Sequence, residues 1–168
     1  MKFRFEHCFP FGFEECLEVF LDAEVLPQLV HDIPSIESIE VCEWRRRNDR
    51  IFRRIRYQLH PFIEKIGPKT VRPEWLSWVE ETEFDLRKAA GTFQNTPTHA
   101  RMSKRLTNSG IIAFRAQAKE CVRTMSGDLR VSFPVLGRLA ERIIAHKAER
   151  LLEEEAEALN TYLVHRSA

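Results

Sequence analysis

The segment "CVRTMSGDLRVSFPVLGRLAERIIAHKAERLLEEEAEALNTYL", Cys121–Leu163, decides the fold. Its first part alternates apolar and polar residues, which predicts a strand. From Arg138 onward it contains no glycine or proline and is rich in Ala, Leu, Glu, Lys and Arg, which favours one long helix. Pro134 and Gly137 separate the two elements. The chain therefore ends with a strand that passes directly into a long helix.

An apolar stripe marks one face of this predicted helix. It runs through Leu136, Ala140, Ile143, Ile144, Lys147, Leu151, Ala158, Leu159 and Tyr162. No other segment predicts a helix of comparable length. The stripe is therefore expected to pack against a sheet.

The rest of the chain supplies that sheet. Phe3, Phe5, His7 and Phe9 alternate in a first strand, and helical spacing then predicts two short helices with a break near 22–27. Further strands are predicted over Ile36–Trp44, Ile51–His60, Glu74–Lys88, Gly91–Asn108, Gly110–Ala118 and Glu120–Phe133. The sequence "TNSG" at 107–110 predicts a turn. The total is seven strands, followed by the long helix.

Composition limits the class of protein. The 168 residues are 43% apolar and 30% charged, which is typical of one globular domain, and we assign residues 1–168 to it. No window approaches the roughly 20 apolar residues that span a bilayer. Charged residues such as Arg4 and Glu6 interrupt the place where a signal peptide needs an apolar run, so we expect a cytoplasmic protein. The four cysteines form no C-x-x-C pair, and no metal or cofactor is predicted.

The order of these elements resembles the START-like (SRPBCC) superfamily with its helix-grip fold. The segment "FEHCFPFGFEECLEVFLDAEVLPQL", Phe5–Leu29, and the C-terminal strand and helix carry the resemblance. It looks most like a bacterial branch of unknown function. The resemblance implies an α+β fold, in which a curved antiparallel sheet of seven strands wraps around the C-terminal helix. It also implies a cavity between helix and sheet, which members use for hydrophobic ligands.

We therefore predict binding, and in an extended form transfer, of a hydrophobic small molecule or lipid. The predicted ligand-binding residues come from the inward strand faces and the helix stripe. They are Phe5, His7, Arg53, Tyr57, Leu59, Trp78, Glu80, Phe84, Phe114, Met125, Leu129, Ile143, Lys147 and Leu151. Each is also compatible with an ordinary place in the core.

Four of these residues are polar at apolar positions: His7, Arg53, Glu80 and Lys147. Two of them meeting in a cavity could orient a carboxylate, hydroxyl or keto group. The alternative is structural, with Lys147 and Arg53 reaching the rim and His7 making one hydrogen bond.

Two other functions stay open. One is an enzyme of the polyketide cyclase/dehydratase type, which would need convergent groups such as His7 with Glu80. The other is a protein-interaction domain with a collapsed cavity. No catalytic residue is assigned.

The segment "WRRRNDRIFRRIRY", Trp44–Tyr57, concentrates seven arginines. Alternation places Arg53 on the apolar face and directs Arg54 and Arg56 to solvent. The predicted turn region holds Arg45, Arg46, Arg47 and Arg50. Such a run is usually a solvated face, but it could also contact an anionic membrane. Nucleic acid is a less suitable partner, because the pI is only near 7.7.

Overall fold

A seven-stranded antiparallel sheet wraps around a long C-terminal helix. The structure is a computed structural model that describes residues 1–133 and 135–167. The strands are β1 Lys2–Phe9, β2 Ile36–Arg47, β3 Arg50–Leu59, β4 Lys65–Ile66, β5 Lys69–Thr70, β6 Ser77–Asp85, β7 Ala90–Pro97, β8 Leu106–Gln117 and β9 Glu120–Val131. The sheet has the order β1-β9-β8-β7-β6-β3-β2, and β4 and β5 form a separate two-stranded sheet.

The helices are α1 Phe13–Leu21, α2 Val25–Gln28, α3 Ala100–Ser103 and α4 Gly137–Ser167, with 3-10 turns at Leu29–Asp32 and Pro73–Leu76. The predicted α+β helix-grip fold is confirmed, including the two short helices between the first two strands. Pro134, expected just before the long helix, lies outside the described residues. Among the helices that the structure describes, none combines the length and the apolar character needed to cross a bilayer.

The turn predicted at "TNSG" is wrong. Residues 107–110 lie inside β8, which runs without interruption from Leu106 to Gln117. The chain reverses earlier, at α3, where residues 98–105 join β7 to β8. Local turn residues are outweighed here by strand pairing on both sides of β8.

The connection between β3 and β6 also differs from a plain loop. Its β4–β5 hairpin turns at Gly67, which has a φ of +59°. Glycine adopts this left-handed conformation without the steric strain of other residues. A Cβ atom at Gly67 would be 3.1 Å from the side chain of Leu136, just before α4. The hairpin therefore lies against the chain that leads into the long helix.

The C-terminal half of α4 is packed into the main core. Its buried residues Ala156, Leu159 and Leu163 belong to the same cluster as Leu17 and Phe20 of α1. Burying a leucine or phenylalanine side chain contributes roughly 1.5–3 kcal/mol. This end of the helix is thus fixed between α1 and the sheet.

Two facing glycines bring β8 and β9 close together. Gly110 and Gly127 are direct partners in the sheet. A Cβ atom at Gly110 would be 2.1 Å from the carbonyl oxygen of Ser126, and one at Gly127 would be 2.4 Å from that of Ser109. Glycines at such positions allow a sheet to bend. The sheet can therefore curve around α4 at this pair.

Replacing Gly110 by alanine should lower the free energy of unfolding by at least about 2 kcal/mol, because backbone atoms must move. Gly12 is a matched control, since a Cβ atom there meets nothing within 4 Å. Gly12→Ala should change stability by less than about 1 kcal/mol. Urea denaturation of both variants measures the difference. Equal effects would contradict the steric explanation.

Candidate functional site

An internal cavity of about 250 Å³ lies between α4 and the sheet. Its volume is slightly below the roughly 300–1,000 Å³ of typical small-molecule sites. The middle of α4 forms one wall through half-buried residues such as Ile144, Ala148 and Leu152. The inward faces of the strands form the opposite wall. The space therefore lies where the helix stands away from the sheet.

Most of the predicted ligand-binding residues lie in the cavity wall. These are Phe5, Arg53, Tyr57, Leu59, Trp78, Glu80, Met125, Leu129, Ile143, Lys147 and Leu151. Contact of any of them with a ligand stays a prediction.

The structure places Phe84, Phe114 and His7 outside this wall. Phe84 is fully buried, and its ring centroid is 6.1 Å from that of Phe114. Phe114 in turn packs 4.9 Å from the ring of Phe20 on α1. The two strand residues point inward as predicted, but α1 covers the sheet at their level. They therefore belong to the core.

Arg53 reaches into the cavity wall and is only 3% exposed. Its guanidinium donates a hydrogen bond of 2.8 Å to the carbonyl oxygen of Phe20 and lies 4.4 Å from the centre of that ring. A second guanidinium nitrogen is 3.7 Å from Glu80 Oε1. The rim position considered for Arg53 is therefore wrong. The buried charge is compensated by the carbonyl, the ring and the carboxylate.

Glu80 provides the acidic group on this wall. Thr82 Oγ1 donates to Glu80 Oε1 over 3.2 Å. Burial raises the pKa of Glu80, and the nearby Arg53 charge opposes that rise. A carboxyl group with a raised pKa inside a cavity can act as a general acid or base.

A second buried ion pair was not predicted. Arg123 of β9 is completely buried and donates to Glu155 Oε2 of α4 over 2.7 Å. Its guanidinium also lies 5.5 Å from the rings of Phe9 and Phe20. Both members of the pair line the cavity. The sequence pattern is consistent with inward positions for both residues, because Arg123 lies on the same face of β9 as Met125, and Glu155 lies one helical turn from Leu151 and from Leu159.

His7 is the sheet partner of Arg123. Burial, followed by the positive charge of Arg123, lowers the pKa of His7 to about 4. Its Nδ1 atom is buried and has no hydrogen-bond partner among the described residues. Glu80 lies instead beside Arg53, and the described contacts do not include the pairing of His7 with Glu80 that was given as an example of convergent groups.

An aromatic pair lines the same cavity. Tyr57 and Trp78 face each other across β3 and β6, with ring centroids 5.1 Å apart and planes inclined by 13°. Burial raises the pKa of Tyr57 well above its usual value, so its hydroxyl stays protonated. Stacked rings offer a flat apolar surface with polar edges.

A polar row crosses the sheet next to this pair. Glu80 of β6 faces Asn95 of β7, which faces Asn108 of β8. All three line the cavity. The Oδ1 atoms of both asparagines are buried and have no partner among the described residues. Asn95 and Asn108 were not predicted, because the pattern of residues 93–105 is weak and Asn108 falls in the turn expected at 107–110.

Lys147 lies at another part of the wall. Its Nζ atom donates to Ser35 Oγ and is 5.0 Å from the ring centre of Phe62, which is 38% exposed. Desolvation lowers the pKa of Lys147. Lys147 therefore lies at a partly exposed edge of the cavity. This position is similar to the rim position considered as the structural alternative.

The arginine turn lies away from the cavity wall. Arg45 pairs with Glu43 at 3.4 Å, and Arg50 pairs with Asp85 at 3.3 Å. This turn precedes β3, whereas the cavity-lining residues 62 and 63 follow that strand. A contact between the turn and an anionic membrane stays a prediction.

The curved sheet, the long helix and the cavity between them define a protein of the helix-grip fold class. Within this class, the chain belongs to the family described as "Protein of unknown function (DUF2505)", whose profile matches residues 4–163. Among curated proteins, none shows significant similarity to the chain.

Solved structures with the same fold include functionally diverse proteins. The protein TTHA0849 from Thermus thermophilus has a TM-score of 0.70 at 18% identity, with 100% of both chains covered. The Zhui aromatase/cyclase from Streptomyces sp. R1128 has a TM-score of 0.66 at 12% identity, covering 100% of this chain and 96% of that one. A START superfamily protein from Mycobacterium smegmatis has a TM-score of 0.57 at 15% identity, covering 98% and 97%. At these identities the similarity shows the fold alone.

Replacing Arg123 by methionine should lower the free energy of unfolding by about 3–5 kcal/mol, because Glu155 is left buried without its partner. The double variant Arg123→Met with Glu155→Leu should recover most of the loss, since both charges are removed. Guanidinium denaturation measures both variants.

Arg166→Met is the control, because Arg166 pairs with Glu18 where both side chains are exposed. Its effect should stay below about 1 kcal/mol. A loss for Arg123→Met that is no larger than this control would show that the buried pair does not stabilise the fold.

Proposed function

We propose that the protein binds a hydrophobic small molecule or lipid in the cavity between α4 and the sheet. One observation carries the proposal: an internal cavity has largely apolar walls that also contain a few polar groups, among them Glu80, Asn95 and Asn108. Such a combination is typical of small-molecule sites, in which apolar walls supply affinity and a few polar groups fix orientation. An interaction domain would more naturally have a collapsed cavity.

The composition of the wall supports this proposal. Phe3, Phe93 and Leu129 contribute apolar surface from three strands, and Leu151 contributes it from the helix. Burial of ligand surface against such groups yields about 25 cal/mol per Å². An empty apolar cavity loses these contacts, so a ligand that fills it stabilises the folded state.

The extended form of the proposal is that the protein transfers the ligand from a donor to an acceptor. The partly exposed Phe62 beside Lys147 would form part of an exit path. Native mass spectrometry of protein purified without denaturation, followed by solvent extraction, should reveal a bound apolar compound. A lipid-loaded sample incubated with empty vesicles would then show whether the compound is exchanged.

Filling the cavity should abolish binding. Ala148 projects from α4 into the cavity wall, so Ala148→Phe would occupy the space with a ring. The affinity for the neutral fluorescent probe N-phenyl-1-naphthylamine should fall at least about tenfold, which corresponds to 1.4 kcal/mol. Fluorescence titration measures the change.

Ala148→Ser is the control at the same position, because it adds only one oxygen atom and should bind the probe nearly as wild type does. Melting temperatures identify any variant that has lost its fold. If the wild-type protein binds no probe and no apolar compound raises its melting temperature, the binding function is wrong.

We propose catalysis by Glu80 as a second candidate function. The observation that favours it is the raised pKa of this buried carboxyl group in the cavity wall. Glu80 could remove a proton from the carbon next to a ketone, and that carbon then forms a bond to the carbon of a second ketone. The alkoxide that results takes the proton back from Glu80, and loss of this hydroxyl group together with a second proton from the attacking carbon releases water and leaves a carbon–carbon double bond. Ring closure of a poly-β-ketone is a reaction of this type.

Incubation with a linear poly-β-ketone thioester tests this candidate, with loss of water followed by mass spectrometry. Glu80→Gln should slow ring closure by at least about 100-fold. Glu81→Gln is the matched control, because Glu81 binds the partly exposed Arg54 on the other face of β6. Turnover that is equal for both variants and for buffer would exclude the reaction.

A further inference from the structure

Two adjacent asparagines on the cavity wall have unused hydrogen-bonding capacity. Asn95 and Asn108 face each other on β7 and β8, and each has a buried Oδ1 atom without a partner among the described residues. Buried polar groups of this kind are rare, because each lost hydrogen bond costs about 1–3 kcal/mol. Two of them side by side, facing one cavity, indicate a place where a ligand supplies the missing bonds.

The row of Glu80, Asn95 and Asn108 has an apolar neighbour at each end, Ile55 of β3 and Leu129 of β9. Glu80 of β6 faces Asn95 of β7, and Leu129 of β9 faces Asn108 of β8. The polar part therefore spans three strands and then stops. A ligand with one polar end and an apolar body matches this change.

The buried cations near the cavity are already paired. Arg53 lies within 3.7 Å of Glu80 and donates to a backbone carbonyl, and Arg123 lies within 2.7 Å of Glu155. Each guanidinium charge is thus balanced by a carboxylate, although the Nε atoms of both arginines are buried without a hydrogen-bond partner among the described residues. A ligand carboxylate would also be placed close to Glu80, and its dehydration would not be repaid.

We propose that the row of Glu80, Asn95 and Asn108 binds a neutral hydroxyl group of the ligand, so that the cavity selects alcohols or phenols over carboxylates. This inference rests on the proposed binding function. A hydroxyl group both donates and accepts hydrogen bonds, and a side-chain amide can present either its oxygen or its NH₂ group after rotation. Glu80 offers an oxygen acceptor whether it is ionised or protonated.

Three probes that share one ring system separate the contributions. Naphthalene carries no polar group, 2-naphthol carries a hydroxyl group, and 2-naphthoate carries a carboxylate at pH 7. Each is used to displace N-phenyl-1-naphthylamine from the wild-type protein. We expect 2-naphthol to bind roughly two- to tenfold more tightly than naphthalene, as one net hydrogen bond allows. We expect 2-naphthoate to bind at least about tenfold more weakly than 2-naphthol.

Variants locate the hydroxyl site. Asn95→Leu and Asn108→Leu keep the size of the side chain and remove its polar groups, so the advantage of 2-naphthol over naphthalene should disappear. Asn160→Leu is the matched control, because Asn160 also has a buried Oδ1 atom without a described partner but lies outside the cavity wall. It should keep the wild-type preference. Circular dichroism confirms that each variant is folded.

The outcomes distinguish the two levels of the proposal. If 2-naphthoate binds as tightly as 2-naphthol, or if Asn160→Leu changes the preference as much as Asn95→Leu does, the hydroxyl site is wrong while the cavity still binds apolar molecules. If neither the three probes nor the fluorescent probe binds, the binding function itself fails.

Discussion

The ion pair between Arg123 and Glu155 is the interaction on which the arrangement of helix and sheet depends. A guanidinium with no exposed surface is stable only when its partners replace the lost water. Glu155 and the carbonyl oxygen of Leu152, both on α4, supply two of these partners. The pair therefore holds α4 against β9 at this point, because separating the two elements would leave a buried charge without its partner. The cavity extends along the helix from this fixed point.

The fold could be predicted from two kinds of pattern. Alternation predicted the strands, and the apolar stripe predicted the last helix. The order of these elements then matched that of the helix-grip superfamily. The turn expected at "TNSG" failed because glycine has two uses. Gly110 does not reverse the chain there; it allows β8 to lie close to β9 beside Gly127. A single sequence cannot separate a glycine needed for a turn from one needed for close packing.

The candidate site could be predicted only in part. Alternation showed that Arg53 and Glu80 face inward, and both line the cavity. It could not show the level along the strand at which α1 covers the sheet, so Phe84 was assigned to the cavity wall although it is core. Arg123 and Glu155 were missed because charged residues in mixed segments are usually at the surface. Their burial depends on each other, and a pattern along one segment does not report a partner on another.

The β4–β5 hairpin has a consequence for kinetics. Gly67 lies against Leu136, and Lys69 lies 4.9 Å above the ring of Phe133, so the hairpin joins the strand side of the cavity to the start of α4. A ligand that passes this end of the cavity would separate these contacts both when it arrives and when it leaves. Loosening them would raise the association and dissociation rate constants together. Residence time would then change while the dissociation constant stayed nearly the same, so the two properties can vary independently in this fold.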